Sequence, residues 1–158
     1  MTHLESDNLK DLMAVVNSSD IGLVILDKHY NIRVWNLFMV NHSSLSADSV
    51  MGNNLFSQFP DISEQWFSAL AQQSIEQKKK LLSTWEKQPY LFQFKNIRSR
   101  SKVATFMYQN ITFIPLISAS GDVDNFAITI NDVTDIAVST QQLDVVVTEY
   151  SDKIDSNN

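Results

Sequence analysis

Histidine, serine and carboxylates are the groups of this chain that could do chemistry, and their spacing argues against catalysis. His42 precedes Ser43 and Ser44, but neighbours in sequence on a helix do not face each other. No strained nucleophile turn or oxyanion-hole glycine accompanies them. Asp132 and Asp135 bracket Val133 and Thr134 in "DVTD". There a carboxylate or hydroxyl is better used to cap the first free N–H groups of a helix, with Asp135 well placed for the helix dipole. Of the three histidines, His3 lies in the leading segment and His29 falls in a hairpin turn, where solvation is expected. His42 follows Phe38 by four residues and shares its helical face. It is read as a core histidine bonded to a backbone carbonyl, with a hydrogen bond to a ligand or ligation of a metal or haem as the alternatives. A lone histidine supplies too few ligands for a stable metal site. No enzymatic activity and no metal are expected.

The elements that must position these groups come from one modest chain. Its 158 residues are 44% hydrophobic and 19% charged, which suits one globular domain with small appendages. The formal net charge of -6 excludes the general electrostatic footprint of a nucleic-acid binder and disfavours anionic membranes. Lys78 to Lys80 form the one basic run, read as a solvated helix end. There is no cysteine, so disulfides, thiolate nucleophiles and cysteine-ligated metals are out, in keeping with a reducing compartment. With no secretory layout at the N-terminus and no apolar run of membrane-spanning length, a soluble cytoplasmic protein is expected.

Periodicity divides the chain. Leu9, Leu12, Met13 and Val16 make an amphipathic N-terminal helix within residues 1–19. "IGLVILD" (Ile21 to Asp27) and "NIRVWN" (Asn31 to Asn36) read as a hairpin. Residues 37–80 turn helical, broken at Gly52 and Pro60, and the longest helix starts near Ser63, with Asp61 as an alternative N-cap. Strands resume as "LLSTWEKQPYLFQF" (Leu81 to Phe94), "ATFMYQNITFIPLI" (Ala104 to Ile117) and "NFAITIN" (Asn125 to Asn131), with "SASGD" turning between the last two. A helix follows over 136–150, where Ile136, Leu143, Val147 and Tyr150 form a stripe that an isolated helix could not keep dry. The alternative is that Val145 and Val146 turn this helix back onto its own sheet. Residues 151–158 are polar enough to predict a disordered tail.

Over about Asp20 to Asp135 the sequence resembles the PAS domains, small sensory modules of bacterial signalling proteins. "IGLVILDKHYNIRVWN" is similar to their first hairpin with its terminal Asn, here Asn36. "SADSVMGNNLFSQFP" is similar to their helix-Gly-helix stretch, and "FIPLISASGDVDNFAITINDVTD" to their last hairpin closing on Asp-x-Thr, here Asp132 and Thr134. A narrower resemblance, in "WNLFMVNHS", "PYLFQF" and "MYQNITFIPL", is to PAS domains that precede GGDEF diguanylate cyclase domains in Gram-negative bacteria, although no such catalytic domain lies in this chain. The resemblance implies an α+β fold, PAS-like, with a five-stranded antiparallel sheet, short helices over one face, and flanking N- and C-terminal helices. The sensory domain would span 20–135.

The resemblance also implies a pocket under the helices. Aligning Pro115 with the family's common proline turns Met107, Gln109, Ile111 and Phe113 inward on one strand, and Phe126, Ile128 and Ile130 on the next. With Phe38, His42 and Trp66 these would line a largely apolar ligand site whose polar exception is Gln109. The other aromatic residues read first as core. Leu55 stands where a photoactive flavin would need cysteine, and Ile130 where it would need glutamine, so a flavin photoadduct is excluded. The usual haem-ligating histidine is missing from "SEQWFSALAQQSIEQK", so a haem-based gas or redox sensor would need another ligand. The cofactor is otherwise unknown. The expected function is a sensory module that binds a small ligand or a partner. It would signal from Asp132 and Thr134 through the last helix to an output domain or partner, a GGDEF-type domain included. Flanking helices would pair in a parallel homodimer, and a ligand-free interaction module is the rival reading.

Overall fold

Alternation of side chains builds the first hairpin. In the computed structural model, which describes residues 3–97 and 99–157 and the side chains from residue 6 onward, Gly22–Asp27 (β1) and Ile32–Trp35 (β2) pair antiparallel. Val24, Leu26, Ile32 and Trp35 are buried. Asp27 organises the turn, its carboxylate accepting from the N–H groups of His29 at 2.9 Å and Asn31 at 3.0 Å. Gly22 is required where the sheet meets the helices, since a β-carbon there would lie 2.7 Å from Met39 Sδ and 2.9 Å from Ile130 Cβ. The N-terminal helix (α1) covers His3–Ser18; the side chain of His3 lies outside the described residues.

Four helices lie between this hairpin and the rest of the sheet: Leu37–Ser43 (α2), Ala47–Val50 (α3), Leu55–Gln58 (α4) and Glu64–Gln77 (α5). Each starts on a polar side chain that accepts from the new helix's free amides, namely Asn36, Ser46, Asn54 and Ser63. Ser63 caps α5 at Trp66 N, as the sequence predicts, and Lys78 ends it in the left-handed region at φ 51.

Leu81–Ser83 (β3), Gln109–Ile117 (β4) and Val123–Asp132 (β5) complete an antiparallel sheet in the order β2-β1-β5-β4-β3. The register sets Ile111 beside Ile130, Phe113 beside Ile128, and Val24 beside Ile128. One apolar layer therefore runs across the sheet towards α2 and α5.

Two predicted elements differ in length. The strand expected over Leu81 to Phe94 stops after Ser83: Lys87 and Gln88 both donate back to Thr84 O in a turn, and Pro89 has no N–H to give a ladder. Likewise β4 begins at Gln109 rather than Ala104. At the other end, α6 runs over Thr134–Ser156, past Tyr150 and through most of the segment whose polarity predicts a disordered tail; Asn158 lies outside the described residues. No Gly or Pro interrupts it, Thr148 Oγ1 donates to Asp144 O at 2.9 Å in helix back-bonding, and Glu149 and Lys153 stand in the favourable i,i+4 order.

The hairpin carboxylate makes a pH prediction. Burial pushes the Asp27 carboxyl up, but hydrogen bonds from Asn31 and His29 and the nearby Arg33 outweigh it and hold the group below its ordinary value of 3.8. A group more acidic when folded stabilises fully above the unfolded value and loses that contribution as pH falls through the lower folded one. Urea unfolding between about pH 6 and pH 3 should therefore show wild type losing stability below about pH 4, and Asp27→Asn losing less of it over that range.

Candidate functional site

The expected pocket wall is assembled, and it is core. Phe38, Ile111, Phe113, Ile128 and Ile130 are buried in one cluster, with Trp66 half-buried against it. Phe67 of α5 fills the space in front of them, its ring 5.2 Å from Phe113 and 6.3 Å from Phe126. Gln109, expected as the polar contact for a ligand, is instead spent on the chain itself. Its Oε1 accepts from the N–H groups of Leu91 at 2.9 Å and Phe92 at 3.2 Å, and its Nε2 donates to Phe92 O at 2.7 Å. This replaces the ladder that the 84–94 segment lacks.

Of the predicted wall residues, His42 alone borders the principal cleft, of about 600 Å³, which opens beside the core rather than inside it. Its ring lies 4.2 Å from Phe38 and 5.7 Å from Phe94. The cleft is bounded by the turn from α4 to α5, including Phe59 and Asp61, and by Tyr90 to Phe94. Sequence reasoning missed Phe59 and Asp61 as cleft residues; the signal was Pro60, in the turn between α4 and α5, which leaves Phe59 half-buried against Trp35 and Asp61 exposed. Among the described residues no group of three His, Cys, Asp or Glu could hold a metal ion.

The sheet-to-helix junction is short and bonded on both sides. A single residue, Val133, separates β5 from α6. Asp132 Oδ1 accepts from Thr134 N at 3.0 Å and from Thr134 Oγ1 at 2.5 Å. The Thr134 hydroxyl oxygen accepts from Tyr108 N at 3.0 Å, and Val133 N donates to Tyr108 O at 2.9 Å. The hydroxyl thus holds the approach to β4 rather than a helix amide, which the capping expectation did not foresee. One residue on, Ser99 Oγ donates to Asp135 Oδ1 at 2.5 Å. That bond leads in holding the Asp135 carboxyl below its ordinary value, helped by the Ser101 and Arg100 amides and the Arg100 charge.

A matching joint holds the other flanking helix. Asn36, 1% exposed, accepts at Oδ1 from Leu23 N at 3.0 Å and Met39 N at 3.3 Å, and donates from Nδ2 to Val16 O at 3.1 Å and Ile21 O at 2.9 Å. One side chain therefore ties the end of α1, the start of β1 and the start of α2.

Beyond these joints the helices are uncovered. On α6, Ile136, Leu143, Val147 and Tyr150 are each more than half exposed, and Val145 and Val146 also face outward rather than onto the sheet. On α1, Leu9, Leu12 and Val15 are exposed as well. No helix among the described residues is long and apolar enough to cross a membrane.

This arrangement of sheet and helices matches known structures. A sensory box sensor histidine kinase from Vibrio cholerae superposes with a TM-score of 0.59 at 22% identity, over 83% of this chain and 96% of that one. The PAS domain of BvgS from Bordetella pertussis gives 0.58 at 13% identity, over 90% and 98%. The fold is that of a PAS domain. An RNA-binding Light-Oxygen-Voltage receptor shares the PAS arrangement with a TM-score of 0.63 at 14% identity, over 97% of this chain but 41% of that one. No family model and no curated protein matches the sequence. The PAS fold and its two flanking helices occupy these 158 residues, leaving no length among them for a separate catalytic domain.

Proposed function

We propose that this PAS module is a sensory and dimerisation unit whose output leaves through α6. The observation that carries the reading is the junction at Asp132, Val133 and Thr134, where a strand of the core passes into a 23-residue helix through one residue bonded to Tyr108. A change in core packing that shifts β4 against β5 must then reorient α6, because no slack lies between them. A bias of 1–2 kcal/mol, about the strength of one or two such hydrogen bonds, changes a two-state population roughly five- to thirtyfold. The exposed stripe Ile136, Leu143, Val147 and Tyr150 is the surface on which that reorientation is read, by a second copy in parallel register and by an output domain or partner of the GGDEF or another signalling type.

The filled core favours a second reading, a ligand-free interaction module whose helices and surfaces alone do the work. Both readings place dimer contacts on α6, so the first test is assembly. Sedimentation of wild type at micromolar concentration is expected to show a dimer, and Leu143→Asp a monomer, because one charge per copy would be buried opposite its twin. An unchanged oligomeric state and unchanged partner binding in the variant would remove α6 as the output surface.

A further inference from the structure

We propose that the cleft between the α4–α5 turn and the Tyr90 to Phe94 segment binds small organic cations, namely amines with a compact apolar or aromatic body. The proposal deepens the sensory reading by naming a class of signal. Its test reads binding directly, so a failure to bind would leave helix-mediated assembly standing, and a failure of assembly would leave binding standing.

Three features of the cleft select that chemistry. Its volume of about 600 Å³ falls in the range of small-molecule sites, ~300–1,000 Å³, whereas the wall residues expected under the helices are buried together in the core cluster. Its floor is aromatic and already braced. Phe92 and Phe94 stack at 5.4 Å with planes 9° apart, and Phe59 meets Phe92 edge-on at 5.0 Å while stacking on Trp35 at 5.5 Å. Phe92 and Phe94 are nearly fully buried and brace the half-buried Phe59, which lines the cleft with the half-buried Tyr90; Phe59 and Tyr90 offer π-surface to a cation without reordering on binding.

Charge gives the sign. Among the described residues that line the cleft, none is Lys or Arg, and the ionised side chain is Asp61. Asp61 is exposed and makes no hydrogen bond or ion pair among the described residues. The amide of Gln93 adds a carbonyl acceptor for ammonium N–H groups, and Gln58 Oε1, which accepts from Asn53 Nδ2 at 3.2 Å, keeps a second lone pair. A phosphate or carboxylate ligand would meet no counter-charge there and would approach a chain of net charge -6. An ammonium group meets the Asp61 carboxylate and the half-buried rings of Phe59 and Tyr90.

The test titrates the full chain with phenethylammonium and, separately, with phenylacetate, which has a similar body and the opposite charge. Binding is followed by calorimetry and by amide chemical shifts. Saturable binding of phenethylammonium is expected, with shifts centred on Phe59 to Ile62 and Tyr90 to Phe94, and no saturation by phenylacetate over the same range. Asp61→Asn, an exposed change that leaves the core intact, should weaken amine binding about three- to tenfold, and added salt should weaken it in wild type. The proposal is overturned by equal binding of both probes, by shifts centred elsewhere, by an affinity indifferent to Asp61→Asn, or by no saturable amine binding up to about 10 mM, the weak end of small-ligand affinity.

Discussion

Gln109→Leu is expected to cost the protein about 3 kcal/mol or more, although it replaces one buried side chain by another of similar volume. Gln109 is fully buried, and its amide is the partner of two backbone N–H groups and one carbonyl in the Leu91–Phe92 segment. Leucine would leave all three in an apolar setting, and a buried donor stripped of its partner costs about 1–3 kcal/mol. Because a domain of this size shifts its melting temperature by roughly 2–4 °C per kcal/mol, a fall of about 6–12 °C should follow. The loss should also be local. Phe92 contacts Phe59, Trp35 and Phe94, so freeing its backbone loosens the floor of the cleft before the sheet opens. Urea titration gives the global term, and faster amide exchange at Leu91 and Phe92 than in β5 gives the local one. A variant as stable as wild type would mean that the amide is not the clamp the geometry describes.

Asn36→Leu should have an effect of the same order with a different distribution. Two amides, Leu23 N and Met39 N, lose their acceptor, and the carbonyls of Val16 and Ile21 lose their donor. At about 1–3 kcal/mol for each buried donor the total is again about 3 kcal/mol. The bonds lost lie at the root of α1, so this helix should come away while the sheet persists. Asn36→Asp separates the roles, since it keeps an acceptor for Leu23 and Met39 but turns a second oxygen towards the two carbonyls. Limited proteolysis near Val16 to Asp20 should be faster in both variants than in wild type. Cleavage there at the wild-type rate would show that α1 is held by other contacts.

These two residues also show where sequence reading reaches and where it stops. Strand and helix order was legible because burial forces a period of two or of about 3.6 on apolar positions, as in Val24 and Leu26 on β1 or Phe67 and Ala71 on α5. Ser63 was legible as a cap because capping is local. Inward parity correctly placed Gln109 on the buried face, yet parity cannot say what a side chain meets there. Its partners lie 17 and 18 residues away, in a segment whose β-rich composition suggested a strand. The run from Leu81 to Phe94 read as a strand from its β-branched and aromatic content, because composition does not reveal that Pro89 and the Thr84 turn divert it. The polar end of α6 read as disorder because composition measures the missing core and ignores the helix already propagating into it. Asn36 was legible as the end of a hairpin, while its hold on Val16 depends on a contact 20 residues away.

The central claim is that the end of the sheet and the start of α6 behave as one body, and amide hydrogen exchange of Thr134→Val tests it most directly. Valine keeps the shape but removes the oxygen that accepts from Tyr108 N and the hydroxyl that donates to Asp132. Protection should fall together at Tyr108 and across Ile136 to Val138, by about tenfold for the roughly 1–2 kcal/mol that such a link contributes. If Tyr108 loses protection while the first turns of α6 exchange as in wild type, the two elements are not coupled.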